Sequence, residues 1–232
     1  MTRGTMTQAN DLRPMRREPL RPPARARMTM RRRGIGLLAV TALLAGVSTV
    51  QANSEAARAA VRATTTDVLA VLADTSLDTK ARRKSVENIV FASLDFTTVS
   101  RLVLARNWRR FNEAQQSEFI EEFKSHLSRT YGRNIDNYSN QQVEITHDRA
   151  EARGDWTVRT RVIRPGADAI LVDYRLRATN GSWKIIDIII EGVSLVANFR
   201  SQFQEILANH DPAHLLKLLR DKNLTSEPIA AG

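Results

Sequence analysis

The sequence predicts an α+β domain: a four-stranded antiparallel sheet with one face covered by N- and C-terminal helices. Three observations point to it. The apolar period is close to 3.6 up to about residue 135, falls to 2 between Val143 and Glu191, and returns to 3.6 from Leu195. Pro165-Gly166 and Asn180-Gly181 punctuate the period-2 stretch, the second pair being a strong tight-hairpin signal. At 232 residues the chain has room for one sizeable core and no second large domain.

The elements follow in order. Ser54 to about Asp74 reads as a helix with a weak apolar stripe that includes Ala60, Val61, Val68 and Leu72. Asp78 is placed to cap a second helix carrying Val86, Ile89 and Val90, and Asp95 a third carrying Val99, Leu102, Val103 and Trp108. The next begins at Asn112, three residues before Gln115 as in a capping box, with Glu113 adding negative charge where the helix dipole favours it. Its ridge is Phe119, Phe123, Leu127, Tyr131 and Ile135, spaced by four so that the side chains form one row.

In the strands, Val143 and Ile145, then Trp156, Val158, Thr160 and Val162, then Ile170, Val172, Tyr174 and Leu176, and last Ile186, Ile188 and Ile190 make up the apolar faces. Ile185, Asp187 and Ile189 fall on the opposite side of the fourth strand, so Asp187 is expected on the outer, solvated face. Leu195, Val196, Phe199, Phe203, Ile206 and Leu207 form a closing helical stripe, and Asp211-Pro212 opens the last helix.

The formal charge of +10 would suggest a polyanion partner, but ten arginines up to Arg33, against Asp11 and Glu18, hold +8 of it. A nucleic-acid-binding domain would keep its basic excess inside the fold, so that class is excluded. Residues 1–27 are an Arg/Pro-rich extension expected to be disordered, or a mis-assigned start. From 28 to 52, Arg31-Arg32-Arg33 precede an apolar run from Ile35 to Val50 that ends in Val50-Gln51-Ala52. This is the order of a secretory signal peptide, with cleavage near Ala52. Residues 53–232 are then one exported domain.

Residues able to do chemistry are scarce. There is no cysteine, so thiol catalysis and Cys-based metal sites are absent. His210 and His214 stand four apart without an evident third ligand, and Glu122 with His126 reads as a solvated pair on the polar side of its helix. No serine sits in a nucleophile elbow, and no Gly-rich phosphate cradle is present. Gly192-Val193-Ser194 is a strand-to-helix turn with Ser194 as the cap. No enzyme, metal or cofactor is called for. What stands out is apolar and aromatic surface, which by periodicity alone fits a solid core as well as a cavity wall.

Between Phe96 and Asn223 the chain resembles the MlaC, or toluene-tolerance, family. The residues that carry the resemblance are Leu104-Ala105-Arg106-Asn107-Trp108, Gln115, Phe119, Phe123, Tyr131, Tyr174 and Trp183-Lys184 with Asp187. Above all they include the block from Glu191-Gly192-Val193-Ser194 through Asn198-Phe199-Arg200-Ser201-Gln202-Phe203. One departure is Ala105, where the family more often shows glycine.

The resemblance implies a periplasmic, non-enzymatic carrier whose sheet and helices enclose an apolar cavity for phospholipid acyl chains. It would shuttle lipid between an inner-membrane ABC-type transporter complex and an outer-membrane lipoprotein and porin complex. A hopanoid-associated branch shares the pattern, and an exported structural or adaptor protein without cargo would share the fold. The lining expected on this basis is Phe96, Leu102, Val103, Trp108, Phe119, Phe123, Leu127, Tyr131, Val158, Val162, Val172, Tyr174, Ile186, Ile188, Ile190, Val196 and Phe199. Keeping two chains of about 15 methylenes out of water is worth on the order of 24 kcal/mol, so such a lining must be extensive.

Overall fold

A computed structural model describes residues 36–132 and 140–225, without the side chains of 36–49 and 223–225. The chain divides into units 1–41 and 42–232. Of the first, residues 36–41 are described, as helix. In order, the elements are α1 (Gly36–Ala73), α2 (Thr79–Ser93), α3 (Phe96–Leu104), a 3-10 turn (Ala105–Arg110), α4 (Glu113–Gly132), β1 (Gln142–Ala150), β2 (Trp156–Arg164), β3 (Ala167–Thr179), β4 (Ser182–Ile190), β5 (Val193–Ser194), α5 (Leu195–Asn209) and α6 (Pro212–Thr225). The bounds 1–27 and Ile135 lie outside the described residues. The segment around Ala52 is helical, part of α1. Among the described residues no helix is long and apolar enough to cross a membrane.

The caps form where short polar side chains precede the helices. Asp78 accepts from the Ala81 N–H, Asp95 from Thr98, and Asn112 and Gln115 exchange bonds in a reciprocal capping box. Each satisfies N–H groups that the first helical turn leaves orphaned.

The sheet is an antiparallel meander in the order β1-β2-β3-β4-β5. It has five strands rather than four, because Glu191 and Gly192, both at positive φ, turn Val193 back beside Ile190. Asn180 (φ 50°) and Gly181 (φ 78°) make the hairpin between β3 and β4, as a turn with two left-handed central residues requires. A bulge interrupts the β3–β4 ladder. Arg175 pairs with Asp187 but Leu176 with Ile185, so Ile186 is an inserted residue. Ile185, Ile186 and Asp187 are consequently buried in succession, and the expected alternation breaks there.

Helix α1 covers the face formed by Trp156, Val158, Leu176 and Ile185, burying Ala57 and Val61 against it. Asp148 ties the helix to the sheet by accepting from Ser54 Oγ (2.6 Å), Arg58 Nη1 (2.8 Å) and Trp156 Nε1 (2.7 Å). Burial opposes this carboxylate's charge, but the bonds from Ser54, Trp156 and Arg58 prevail and hold its pKa below the usual range. A second core joins α3, α4, α5 and α6 around Phe119, Phe123, Phe199 and Phe203, with Leu215, Leu216 and Leu219 closing it from α6.

An apolar cavity between four helices and a strand

A cavity of about 580 Å³ opens between α2, α3, α4, the end of β4 and the start of α5. That is within the roughly 300–1,000 Å³ of sites that take small organic ligands. Helix α2 contributes Val86, Val90 and Phe91, with Leu94 at its C-cap; α3 contributes Phe96, Val99 and Val103; α4 contributes Phe123, Leu127 and Tyr131. Ile188 and Ile190 of β4 and Leu195, Val196 and Phe199 of α5 complete the apolar wall.

Helix α2 bounds the space on one side. Val86 is its buried residue. At the C-terminal end, Asp95 N–H donates to Ile185 O (3.0 Å) and Lys184 Nζ to Ala92 O (2.7 Å), which fastens the helix to β4. At the N-terminal end, Arg82 donates to the carbonyls of Asp74 and Leu77 in the preceding loop. Opposite, the wall is stiff. Phe123 meets Phe199 edge to face with ring centroids 5.1 Å apart, and both are backed by Phe203.

Nine of the seventeen residues expected from sequence line this cavity: Phe96, Val103, Phe123, Leu127, Tyr131, Ile188, Ile190, Val196 and Phe199. The other eight lie elsewhere. Phe119 is fully buried behind Phe123, in contact with Phe111 and Phe203. Leu102 and Trp108 flank the same packed core, with the Arg101 guanidinium 5.6 Å from the Trp108 ring. Val158 and Tyr174 belong to the cluster under α1. Val172 and Val162 face their ladder partners Thr160 and Ile170 along the sheet, and Ile186 is the bulge residue. These eight share the apolar periodicity of the lining residues, and periodicity reports which residues are covered, not what covers them. Val86, Val90, Phe91 and Leu94, which form the α2 wall, are not among the residues expected from sequence.

Two polar side chains are placed differently from the sequence reading. Asp187 is 5% exposed and lines the cavity, not the outer face. Its Oδ2 accepts from the Ser194 hydroxyl (2.6 Å) and its Oδ1 from the Val196 N–H (3.1 Å), while Ser194 Oγ accepts from Ala197 N–H. The carboxylate is thus engaged as part of the α5 N-cap, where the helix dipole favours it, and the Ser194 hydroxyl donates to Asp187 itself.

His126 is 2% exposed, not solvated, because α6 covers that side of α4. Its ring stands edge-on to Phe199. Burial foremost, then the charges of Lys222 and Arg129, pushes its pKa down to about 4, so it is a neutral core residue near neutral pH. His210 and His214 stack 3.9 Å apart at the start of α6, and among the described residues no three His, Cys, Asp or Glu side chains are grouped to hold a metal.

Residues 62–221 match the family model described as MlaC protein. The chain is 24% identical over 170 residues to the toluene tolerance protein ttg2D of Pseudomonas putida, spanning 71% of this chain and 79% of that one. It is 24% identical over 151 residues to the intermembrane phospholipid transport system binding protein MlaC of Haemophilus influenzae, spanning 63% and 70%. A phospholipid-binding protein from Ralstonia solanacearum, solved in complex with a phospholipid, superposes with a TM-score of 0.67 at 28% identity, covering 73% of this chain and 98% of that one.

Proposed function

Since this chain belongs to the MlaC family, we propose that it is a phospholipid-binding transport protein, not an enzyme, that carries acyl chains in the cavity between α2, α4 and β4. The observation that carries this reading is the cavity itself: about 580 Å³ walled by aliphatic and aromatic side chains, in a fold shared with a protein solved with a phospholipid bound. Of the two carboxylates among its described lining residues, Asp187 is taken up by Ser194 and Val196, and Glu87 lies 3.1 Å from Lys84 Nζ. What remains inside favours hydrocarbon over any polar substrate.

The finer reading follows from the leader. Arg31-Arg32-Arg33, the apolar run and Val50-Gln51-Ala52 direct export to the periplasm with removal of residues 28–52, leaving one lipid-binding domain from residue 53. There the protein shuttles phospholipid between an inner-membrane transporter and an outer-membrane complex.

Purification of the exported protein, organic extraction and mass spectrometry test the reading. Phospholipid is expected at about one molecule per chain. Protein that neither co-purifies with lipid nor acquires it from vesicles removes the proposal. Ile188→Trp, which places an indole in the cavity from a strand inside the sheet, is expected to lower bound lipid at least about ten-fold. The melting temperature should shift by no more than about 5 °C, as for an overpacking change that finds empty space.

A further inference from the structure

We propose that Phe91 and Phe96 are specificity-determining residues that set the longest acyl chain the cavity accepts, because they form a wall one side chain thick with a second open space on its far side. The inference rests on the lipid reading above and adds chain-length selection to it.

Two spaces meet at this wall. Phe91, Leu94 and Phe96 line the cavity of about 580 Å³, and the same three residues line a groove of about 590 Å³. The groove runs between the α2–α3 junction, Ile120 and Lys124 of α4, and Thr179 and Lys184 beside the β3–β4 hairpin. A residue that borders both spaces stands between them, so at that point no further layer of protein separates the two. The wall made by Phe123 and Phe199 differs, because Phe119 and Phe203 fill the space behind it. Hydrocarbon pressing there meets a close-packed core, which yields little. Pressing on Phe91 and Phe96, it meets two rings and then the groove.

The two rings are braced in place. They meet edge to face with centroids 5.0 Å apart. Between them the main chain is fixed: Leu94 N–H donates to Val90 O (3.2 Å), Asp95 N–H to Ile185 O (3.0 Å), and Asp95 Oδ1 accepts from Thr98 N–H (2.9 Å). On the groove side the Lys124 ammonium lies 5.3 Å from the Phe96 ring centroid and 2.7 Å from Glu121 Oε1. Lys124 borders the groove but not the cavity, so it supports Phe96 from outside as a cation over the ring face. An acyl chain too long for the cavity has to displace this braced pair. In an apolar pocket a misfit of one methylene already discriminates by about ten-fold or more.

The test uses protein exported from the full-length chain, stripped of lipid, and offered mixed vesicles with equal amounts of dipalmitoleoyl, dioleoyl and dierucoyl phosphatidylglycerol. These share a headgroup and one double bond per chain and differ in chain length; bound lipid is counted by mass spectrometry. The native protein is expected to load the dierucoyl lipid at about one-tenth the level of the dipalmitoleoyl lipid. Phe91→Ala, which joins the cavity to the groove, is expected to raise that ratio about five-fold. Lys124→Met, which alters the groove side alone, is expected to raise it about two-fold, and Lys124→Arg to return it to the native value. Phe96→Leu, expected to raise it about three-fold, decides the matter where Phe91→Ala fails to fold. Equal loading of the three lengths by the native protein, or an unchanged ratio in Phe91→Ala and Phe96→Leu, overturns the length stop and leaves the cavity reading standing. A fall of all three lipids together in these variants also overturns it, since that marks a deformed cavity. Uptake of none of the three by the native protein ends both readings.

Discussion

Phe123 and Phe199 have two neighbourhoods of the same composition. Behind them, toward α6, Phe119, Phe203, Leu215, Leu216 and Leu219 fill the space completely. In front, toward α2, Val86, Val90, Leu94 and Ile188 are as apolar but enclose about 580 Å³ of emptiness. The difference lies in how the covering helix is attached. Helix α6 presses three leucines into the bundle, whereas α2 buries a single residue, Val86, and is fastened to β4 at its C-terminal end. Apolar content sets whether a surface is covered; the anchoring of the cover sets whether the interior is full.

The sharpest way to break this contrast is to truncate one side chain on each side. Phe203→Ala is expected to cost about 3–5 kcal/mol in chemical denaturation, as removal of a ring from a packed core does. Val90→Ala, which faces space already vacant, should cost under about 1 kcal/mol because it forfeits few contacts. Similar costs at the two positions would mean that the cavity is in effect part of the core.

The next largest effect concerns His126, which sits on the packed side. With a folded pKa of about 4 against 6.5 for the free side chain, the folded protein binds that proton more weakly than the unfolded one. The stability of the neutral ring is fully present above pH 6.5 and is lost progressively as pH falls toward 4, on the order of 3 kcal/mol in all. Denaturation of the native protein and His126→Leu across pH 7 to 4 should converge by that amount. Parallel curves would show that water reaches the ring, and that the packed side is looser than it looks.

The smallest effect lies where α3 leaves the cavity. Ala105 ends that helix at φ 49°, ψ −124°, a backbone conformation that suits glycine. Ala105→Gly is expected to raise stability by about 1 kcal/mol, read as a melting shift of a few degrees. A loss instead would show that the alanine methyl packs usefully at this turn.

Much of the architecture could be read from the chain because its determinants are local. Asp78, Asp95, Asn112 with Gln115, and Ser194 each cap the helix they precede. Asn180-Gly181 makes the turn its φ values demand. The misplacements have non-local causes. Asp187 is internal because a single inserted residue, Ile186, shifts the alternation of β4, and an inserted residue in an isoleucine run leaves no mark in the sequence. His126 is internal because α6, some ninety residues later, lies over it. Tyr174 and Val158 share the period of the lining residues, yet it is α1 that covers them. The α2 wall was passed over because a helix with one buried valine has the pattern of a surface element.

The Asp148 clasp also bears on the order in which the molecule can be assembled. Ser54 and its acceptor are 94 residues apart, and Trp156, which shares that acceptor, comes later still. During synthesis the first long helix of the domain emerges with no partner for Ala57 and Val61 until the β1–β2 hairpin has followed it. Contacts so distant along the chain form slowly, because a loop of that length must close before they are made. Until its own middle has been made, such a helix keeps Ala57 and Val61 uncovered for as long as that wait lasts.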